Sequence, residues 1–569
     1  MTEYERWLAY PLEDEDLAEE LRAIAGKPAE ISDRFYQNLA FGTGGLRGIL
    51  GAGTNRMNIY TVRKATQGLA NYLNKHGEKP SVAIAYDSRN KSELFAREAA
   101  GVLAANGVTA HVYPWLSPTP TLSYAVRRLK CDAGICVTAS HNPAKYNGYK
   151  AYGADGCQVT AEMADDILNE INALDIFADV RHMDFETGKQ NGLICMIDER
   201  VLDSFLDEVY SRRVLAEPCD GLKVVYTPLN GTGRVCVTRI LRRIGVRDVV
   251  MVPEQEMPDG NFTTCPYPNP EIREALQKGL ELSAQVQPDL LLATDPDCDR
   301  CGIAVRHGDG FRLMTGNEVG ILLLDFIAGR RQAHGTLPEK PVLVTTIVST
   351  DMVDPIAAHY GVECIRVLTG FKYIGDQIAL LEEKGEENRF ILGFEESYGY
   401  LSGGYVRDKD GVDASMLICE MAWYYKRQGK TLADAMEGLY RTYGYYQNAL
   451  ENFTFEGEDG MKQMAAIMEG LRRTAPKEIA GFRVVGHSDY QRSIRVQEGA
   501  EEPLSLPRSN VLEYRLENGG KVIVRPSGTE PKIKIYLSAR ADSRAESDAL
   551  IARLRDAGTR LLRVEDKVE

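Results

Sequence analysis

One pattern of apolar and polar residues recurs three times along the chain. Each copy has an apolar run rich in β-branched residues, a turn of small or hydroxyl residues, a helix ended by glycine and a second apolar run. The copies begin at Val82, Leu222 and Pro341. This order predicts strand–helix–strand units in parallel or mixed sheets with covered faces. In the first copy, Ser92 is the expected cap of the helix.

A further apolar strand follows each unit and stops in an unusual loop. The three junctions read AGICV-TASHNP, DLLLA-TDPDCDR and RFILG-FEESYGY. In open α/β sheets, ligands bind beyond the carboxyl ends of the strands. Three related domains that each present one such loop therefore predict a single site assembled between domains.

The C-terminal part has a different pattern. The stretch LEYRLENGGKVIVRPSGTEPKIKIYLSAR reads as strands joined by an Asn-Gly turn, and a helix is expected near 542–563. This predicts a fourth domain of the α+β class. The expected domains are 1–205, which opens with an acidic surface helix, 206–325, 326–445 and 446–569.

Length and charge narrow the possible partners. The chain has 569 residues, more than one hydrophobic core usually supports. Its 67 basic and 82 acidic residues give a net charge of -15, which argues against nucleic acid as the main partner. No apolar run reaches the length of a transmembrane helix, so no membrane partner is expected. An odd number of cysteines, 11, and no signal-peptide pattern favour a reduced, cytoplasmic protein.

The loop TDPDCDR carries alternate carboxylates, Asp295, Asp297 and Asp299, followed by Arg300. Three carboxylates spaced in this way repel one another unless a hard cation neutralises them, and oxygen ligands favour Mg²⁺ or Ca²⁺ over zinc. The alternative is a solvated acidic turn. A CxxC spacing overlaps this loop, but no second cysteine pair accompanies it, so the carboxylates are the favoured ligands.

The loop TASHNP raises the question of what Ser140 does. A serine nucleophile needs a base within reach of its Oγ, and a residue that follows directly in an extended loop tends to point away, so His141 is a poor base. The GxSxG pattern of hydrolases is absent. A plain turn serine is one alternative. A serine that carries a phosphate, with one phosphate oxygen on the metal, fits the neighbouring loops better.

Three more loops have residues suited to a phosphosugar. RPSGTEP places Arg525, Ser527, Gly528 and Thr529 in a tight turn that could hold a phosphate, or could be a hairpin turn with a solvated arginine. FGTGGLRG is a glycine-rich loop with Arg47 that matches neither the P-loop nor the dinucleotide pattern. GFEESYGY offers Glu395 and Ser397 to sugar hydroxyls, with a structural turn as the alternative.

Taken together, these motifs resemble the α-D-phosphohexomutase family, which includes the phosphoglucomutases and phosphomannomutases. TASHNP, DPDCDR, GFEESYG and RPSGTEPKIKIY occur in the family order and cover nearly the whole chain. FGTGGLRG and LTGFKYIG look most like the bacterial phosphoglucomutase branch. The resemblance implies a heart-shaped, four-domain α/β fold, with three related α/β domains of mixed sheets and a C-terminal α+β domain. In that order the domains would carry the phosphoserine, the metal, the sugar and the phosphate.

The resemblance also implies roles for single residues. Ser140 would be the phosphoserine, and Ser140, Asp295, Asp297 and Asp299 would hold Mg²⁺. Lys150 would be the general acid/base, with His141, Arg47 and Arg300 beside the phosphoserine. The remaining implied residues would contact substrate: Glu395 and Ser397 would bind the sugar, Lys372 would contact phosphate or sugar, and Arg525, Ser527, Gly528 and Thr529 would hold the phosphate that does not react.

These roles imply an isomerase that interconverts α-D-glucose 1-phosphate and glucose 6-phosphate, with glucose 1,6-bisphosphate as intermediate and activator. Lys150 would act as base if nearby cations lower the pKa of its amine. Mannose or pentose phosphates are alternative substrates for the same mechanism. A phosphatase and a non-catalytic sugar-phosphate-binding protein are the alternatives from other classes. The expected partner is a sugar monophosphate, and the expected assembly is a monomer or a homodimer.

Overall fold

The computed structural model describes residues 1–42, 44–455, 457–497, 499–527 and 532–562. The chain forms two compact units. One unit contains Met1–Gly316 and Ile374–Leu432, and the other contains Asn317–Tyr373 and the chain from Ala433 onward. Within the described ranges, no helix is long and apolar enough to cross a membrane.

The chain begins with three short helices instead of the single helix that the sequence predicts. These are α1 (Glu3–Ala9), α2 (Glu15–Ala23) and α3 (Pro28–Phe35). Thr2 and Asp14 cap the first two helices with their side chains, which explains why the acidic stretch breaks between them. Trp7 is fully buried in the core of the following domain, so the segment packs on that domain as expected.

The first sheet has six strands in the order β1-β5-β4-β2-β3-β6. Its elements, with the helices that cover it, are β1 (Leu46–Ile49), α4 (Ile59–His76), β2 (Ser81–Tyr86), α5 (Ser92–Ala105), β3 (Thr109–Val112), α6 (Thr119–Leu129), β4 (Ala133–Val137), β5 (Tyr146–Gly153), α7 (Ala161–Asn172), α8 (Phe185–Gln190) and β6 (Ile194–Met196). Strands β4, β2, β3 and β6 are parallel to one another. Strand β5 is antiparallel to β4, and β1 is antiparallel to β5. The predicted strand–helix–strand unit is present, and the sheet is mixed.

One detail of that unit was predicted wrongly. Ser92 is the first residue of α5 and not its cap, because Lys91 precedes it in the left-handed region at φ 66°. The hydroxyl of Ser92 instead donates to Asp87 Oδ1 at 2.8 Å. The serine therefore ties the start of the helix to the loop that follows β2.

The second sheet repeats this arrangement in the order β11-β10-β9-β7-β8. Its segment contains α9 (Glu199–Ser211), β7 (Lys223–Thr227), α10 (Gly233–Arg243), β8 (Asp248–Met251), α11 (Pro253–Glu256), α12 (Gln277–Val286), β9 (Leu290–Thr294), β10 (Cys301–His307) and β11 (Gly310–Met314). Strands β9, β7 and β8 are parallel, and β10 and β11 are antiparallel to their neighbours. Every residue of β9 is buried, as its continuous apolar run predicts.

The third segment contributes to both units. Its elements are α13 (Gly316–Ala333), β12 (Val342–Thr346), α14 (Val353–Tyr360), β13 (Glu363–Val367), α15 (Phe371–Glu383), a 3-10 helix (Glu387–Arg389), β14 (Phe390–Glu395), β15 (Gly399–Leu401), α16 (Gly411–Lys426) and α17 (Leu432–Tyr443). Strands β12 and β13 pair in parallel, and α14 connects them. The helix is followed by Gly361, as predicted. Strands β14 and β15 form an antiparallel pair.

The C-terminal segment is built on an antiparallel sheet in the order β16-β23-β22-β21-β18-β19-β20, with β17 on β18. Its elements are β16 (Tyr445–Thr454), α18 (Gly457–Arg473), β17 (Glu478–Ile479), β18 (Phe482–Asp489), β19 (Ile494–Gln497), β20 (Ala500–Pro503), β21 (Leu512–Leu516), β22 (Lys521–Pro526), β23 (Lys532–Ala541) and α19 (Arg544–Leu561). Gly519 has φ 80°, so the Asn-Gly turn is where the sequence predicts it. The sheet and helix make this part α+β.

Candidate active site

Ser140 lies three residues beyond the end of β4, in a backbone conformation that non-glycine residues rarely adopt. Its φ is 52°, and its N–H donates to Thr138 Oγ1 at 2.8 Å. Such strained positions are held only where surrounding contacts fix them, and they cluster at functional sites. The hydroxyl of Ser140 donates to Asp295 Oδ2 at 2.9 Å, so the ends of β4 and β9 meet at this serine.

His141 contacts Ser140, contrary to the sequence-based expectation that its side chain points away. The distance between Ser140 Oγ and His141 Nδ1 is 3.1 Å. The left-handed conformation of Ser140 turns the chain, so consecutive side chains do not alternate as they would in an extended loop. Burial, together with the cationic Arg300 and Arg47, holds the pKa of His141 well below its usual value. The imidazole is therefore neutral at physiological pH.

The three aspartates of TDPDCDR form one buried cluster. Asp295, Asp297 and Asp299 each offer a carboxylate oxygen within 4.8 Å of the others. Among the described residues, Oδ1 of Asp297 and Oδ1 of Asp299 are buried without a hydrogen-bond partner. Buried carboxylate oxygens without partners are costly unless they coordinate a cation. An all-oxygen donor set of this kind fits Mg²⁺ or Ca²⁺.

The surroundings shift the pKa values of Asp295 and Asp297 in opposite directions. Burial, with the charges of Asp297 and Asp299, raises the pKa of Asp295 well above its usual value. Burial alone would also raise the pKa of Asp297, but Lys150 at 2.8 Å lowers it below the usual value. The backbone N–H groups of Asp299 and Arg300 donate to Asp295 Oδ1, so the loop wraps around this carboxylate.

Cys298 and Cys301, whose spacing overlaps this loop, belong to no candidate metal cluster among the described residues. Cys298 and Cys301 are buried free thiols. Burial raises the pKa of Cys301 to about 12 and that of Cys298 well above its usual value, so neither is a thiolate at neutral pH. The aspartates therefore remain the candidate ligands.

Lys150 lies on β5 and reaches the acidic cluster. Its Nζ is 2.8 Å from Asp297 Oδ2 and 3.4 Å from Asp299 Oδ2. The expectation that nearby cations lower the pKa of this amine is wrong. Burial does lower it, but the charges of Asp297, Asp299 and Asp408 outweigh burial and raise the pKa of Lys150 well above its usual value.

Arg300 and Arg47 both act electrostatically on His141, the residue next to Ser140. Arg300 Nη1 binds Glu271 Oε1, and its backbone holds Asp295. Burial alone would lower the pKa of the Arg300 guanidinium, but Glu271 and Asp299 raise it above its usual value. Arg47 is an exposed residue of β1 opposite Gly148 of β5, and its charge acts on His141.

The predicted substrate-binding residues are divided between the units. Glu395 is the buried last residue of β14, in the unit that carries Ser140, and its charge acts on Arg300; Ser397 is half-buried in the turn that follows. Lys372, on α15, and Arg525 and Ser527, at the end of β22, belong to the other unit. The N–H of Ser527 donates to the carbonyl of Lys532 at 2.7 Å. Gly528 and Thr529 lie outside the described residues.

Arg89 is an important residue that the sequence analysis missed. Its guanidinium is buried and donates to four backbone carbonyls of the serine loop, those of Ser140, Asn142, Pro143 and Tyr146. Asp87 Oδ2 lies 3.3 Å from Arg89 Nε and offsets the charge of the guanidinium. The guanidinium also stacks over the ring of Phe262. The sequence showed only an arginine after a strand, in YDSR, and gave no sign of a partner some 50 positions later.

Lys409 is a second residue that the sequence analysis missed. Its buried Nζ lies 3.1 Å from Asp299 Oδ2 and 3.0 Å from Asp408 Oδ1. The acidic cluster therefore has two lysine partners, Lys150 and Lys409. The pattern DKD at 408–410 reads as an ordinary solvated turn, so its sequence gave no signal.

Comparisons with known proteins identify the family of the chain. Four models of the phosphoglucomutase/phosphomannomutase family match the chain in order: the alpha/beta/alpha domains I, II and III at residues 38–176, 203–308 and 315–443, and the C-terminal domain at 458–557. The chain belongs to this family. It is thus an enzyme of the phosphosugar-mutase class, and the predicted four-domain α/β fold class is confirmed. The boundaries predicted between its domains, such as 205 and 325, stay a prediction.

Relatives of the family share most of the chain. A phosphoglucomutase of Staphylococcus haemolyticus is 37% identical over 516 residues, which cover 90% of this chain and 92% of that protein. A phosphoglucomutase of Staphylococcus aureus strain USA300 is 38% identical over 518 residues, 90% of this chain and 91% of that protein.

Solved structures share the family fold. The Paramecium phosphoprotein parafusin, a phosphoglucomutase in its open form, has a TM-score of 0.69 at 17% identity and covers 94% of this chain and 98% of its own. A family protein from Burkholderia thailandensis has a TM-score of 0.66 at 18% identity and covers 93% of this chain and 98% of its own.

Proposed function

We propose that the chain is a phosphoglucomutase that interconverts α-D-glucose 1-phosphate and glucose 6-phosphate. The contact of Ser140 Oγ with Asp295, at the edge of a buried acidic cluster, carries the proposal. The Staphylococcus relatives, each named phosphoglucomutase, support glucose as the sugar. A phosphate on Ser140 would lie beside the acidic cluster and within the fields of Arg300 and Arg47.

The reaction balances as two reciprocal phosphoryl transfers. Phosphorylated Ser140 gives its phosphoryl group to the free hydroxyl of a glucose monophosphate; the bond from phosphorus to Oγ breaks, and a bond to the sugar oxygen forms. The sugar hydroxyl loses one proton and Oγ of Ser140 gains one, so Ser140 is left as a neutral hydroxyl. Glucose 1,6-bisphosphate then reorients and returns its other phosphoryl group to Ser140.

The acidic cluster would hold a divalent cation, with Ser140, Asp295, Asp297 and Asp299 as ligands. Bound there, Mg²⁺ would supply Lewis-acid stabilisation of the charge on the transferring group. The two buried oxygens without partners, on Asp297 and Asp299, support this assignment.

Lys150 is the proposed proton carrier for the sugar hydroxyl. In this structure its ammonium is held by Asp297 and Asp299, so it donates hydrogen bonds. It becomes a better acid as those carboxylates engage a cation instead, because their contribution to its raised pKa then falls. Arg300 offsets negative charge on the phosphoryl group, and Arg89 keeps the backbone of the serine loop in place.

Substrate contacts beyond the reacting group follow from the remaining loops. We assign Glu395 and Ser397, with Lys372, to the sugar hydroxyls. Arg525 and Ser527, with Gly528 and Thr529 of the same motif, are assigned to the phosphate that does not react. An arginine with hydroxyls and backbone amides in one turn is a chemically suitable phosphate ligand set.

A coupled assay tests the proposal. Glucose 6-phosphate formation from glucose 1-phosphate, with Mg²⁺ and a trace of glucose 1,6-bisphosphate, should be rapid in the wild type and absent in Ser140→Ala. Ser211→Ala, an exposed serine at the end of α9, is the matched control and should behave as wild type. Full turnover in Ser140→Ala would refute the phosphoserine scheme, and steady release of free phosphate in place of product would indicate a phosphatase.

The same assay on other sugars ranks the substrates. The proposal predicts the highest kcat/KM for glucose 1-phosphate, ahead of mannose 1-phosphate and ribose 1-phosphate. A larger value for mannose or ribose phosphate would reassign the substrate while leaving the mechanism intact.

A further inference from the structure

A cationic cavity lies in the unit formed by Asn317–Tyr373 and the C-terminal segment. Its volume is about 240 Å³. Ile347 beyond β12 and Arg366 on β13 line one side, and the C-terminal sheet lines the other with Arg515 on β21 and Arg495 on β19. The loop after β20 closes the rim with Leu504, Ser505 and Leu506. A cavity of this size suits a ligand smaller than a drug-sized molecule.

The charges around this cavity do not cancel. Glu513 is the carboxylate of the lining, and it is engaged by Tyr490 Oη at 2.7 Å and by Arg515 Nε at 2.8 Å. Arg366 is paired with Asp351 at 3.2 Å and Asp354 at 3.0 Å, and Lys521 also binds Asp351. The lining itself thus holds three arginines and one carboxylate, and only Arg366 and Arg515 of these arginines have carboxylate partners.

Arg495 is the third arginine of the lining. Its Nε donates to the hydroxyl of Ser488 at 3.3 Å, and no carboxylate of the described chain forms an ion pair with it. Glu502 is opposite Arg495 in the register of β19 and β20, but the two side chains are not paired.

One residue of the lining, Arg366, also has a donor without a hydrogen-bond partner in the described part of the chain. Nη1 of Arg366 is buried and has no hydrogen-bond partner among the described residues. Guanidinium groups donate two parallel hydrogen bonds to phosphate with good geometry, and a buried N–H that lacks an acceptor is costly. The cavity therefore combines an unused buried donor, an unneutralised arginine and a hydroxyl, from Ser505, at its rim.

We propose that this cavity binds a small phosphate monoester or free phosphate, with Arg366, Arg495 and Arg515 as its anion ligands. Ile347, Leu504 and Leu506 give the cavity an apolar wall against which the carbon part of a monoester would pack. Because its ligands come from both β13 and the C-terminal sheet, a bound anion would tie these two parts of the unit together.

This site is separate from the RPSGTEP turn. Arg515 is opposite Lys521 in the register of β21 and β22, whereas Arg525 lies four residues further along β22. At the rise of a strand this places the two arginines' backbones about 13 Å apart. The inference does not depend on the proposed function, because it concerns binding and needs no turnover.

Calorimetric titration of the full chain tests the inference. The titrants are inorganic phosphate and, separately, glucose 6-phosphate, at constant ionic strength, in a Ser140→Ala, Arg525→Gln background that stops turnover and weakens the proposed catalytic phosphate site. Arg495→Gln should then weaken or remove one binding site by at least about tenfold in Kd. Arg492→Gln, an exposed arginine in the turn before β19, is the matched control and should leave binding unchanged.

A second variant distinguishes loss of binding from misfolding of the chain. Ser505→Asp places a negative charge on the exposed rim and should weaken binding as Arg495→Gln does, without removing a packed side chain. Tighter binding of glucose 6-phosphate than of phosphate would support the inference with a monoester as ligand, and the reverse would support it with the free anion. Identical isotherms for Arg495→Gln and Arg492→Gln, or no saturable binding of either titrant, would overturn it.

Discussion

The hydroxyl of Ser140 lies 2.9 Å from Oδ2 of Asp295, although 155 positions separate the two residues in the chain. Ser140 follows β4 of the first sheet and Asp295 follows β9 of the second, so two strand ends from separate sheets meet. Thr119 joins the same sheets beside them, because its N–H and hydroxyl both donate to Asp297. Ser140, the proposed phosphoryl carrier, and the candidate cation ligands are therefore fixed relative to each other by the fold.

Removal of the cation should abolish turnover and destabilise the acidic cluster. Three buried carboxylates within 4.8 Å repel one another without it. We expect chelation to stop the reaction and Mg²⁺ to restore it. Mg²⁺ at about 100 times its Kd should stabilise the wild type by about 2.7 kcal/mol.

Thermal melting at increasing Mg²⁺ concentration checks this prediction. The rise in Tm should be lost in Asp297→Asn and retained in Asp309→Asn, an exposed residue of the turn between β10 and β11. An equal Mg²⁺-dependent rise in both variants would place the cation elsewhere.

Replacement of Lys150 by methionine should lower kcat by about 10²- to 10⁴-fold, the usual contribution of general acid–base catalysis. The substitution keeps the length of the side chain but removes the ammonium that lies 2.8 Å from Asp297. Lys145→Met, an exposed lysine in the loop before β5, serves as control and should keep wild-type kcat. If Lys150→Met retains kcat within a few-fold, another group carries the proton.

Arg89 should control the position of the serine loop. In Arg89→Lys the charge beside Asp87 is kept, but one ammonium cannot serve the four carbonyls that the guanidinium now holds. We expect a modest fall in Tm, because buried carbonyls lose their donor, together with slower phosphorylation of Ser140 by glucose 1,6-bisphosphate. Arg89→Met should also lose about 3–5 kcal/mol of stability, since Asp87 is left buried and unpaired.

Stopped reactions followed by mass measurement give the phosphorylation rate. Arg97→Lys, at a half-buried arginine of α5 that contacts none of the site residues named above, provides the control. Wild-type phosphorylation rates in Arg89→Lys would show that the loop keeps its position without the guanidinium.

Stability should fall as pH rises from about 4.5 to about 7, in part because of Glu420. Burial raises the pKa of this carboxyl to about 7, although it accepts hydrogen bonds from Arg213 and from the backbone of Val214. The folded chain then keeps a proton that the unfolded chain loses near pH 4.5. Its contribution is complete below pH 4.5 and is lost, by about 3 kcal/mol, as pH rises through 7.

Melting curves between pH 5 and pH 8 test this dependence. Glu420→Gln should show a shallower fall in Tm than the wild type, and Glu19→Gln, an exposed residue of α2, should follow the wild type. Asp410, whose pKa burial raises to about 7, should account for part of the slope that remains. Equal slopes in wild type and Glu420→Gln would mean that this carboxyl is ionised in the folded chain throughout.

The local motifs explain how much of the site could be predicted from the sequence. The alternate aspartates 295, 297 and 299 need only a tight loop after a strand to converge, and the apolar run before them predicts that strand. The strand–helix–strand pattern likewise depends on short-range periodicity, and all three copies are present. Most features that depend on neighbours within about ten residues were predicted, although the cap of α5 and the break of the N-terminal segment into three helices were not.

Features that depend on distant partners or on backbone strain could not be read in this way. Arg89 and Lys409 acquire their roles from partners about 50 and 110 positions away. The pKa of Lys150 was predicted in the wrong direction because its carboxylate partners come from another sheet. The side chain of His141 was misplaced because nothing in the letters TASHNP reveals a left-handed Ser140.

The most direct test of the account is whether Ser140 carries the phosphate that reaches the sugar. The enzyme would be incubated with glucose 1,6-bisphosphate that carries labelled phosphate and then freed of ligand. One portion would be mapped by peptide mass analysis. The other would be mixed with unlabelled glucose 1-phosphate. The account predicts one labelled phosphate on Ser140 and its transfer to glucose bisphosphate within a turnover. Label on another residue, or full activity in a chain that never acquires label at Ser140, would contradict it.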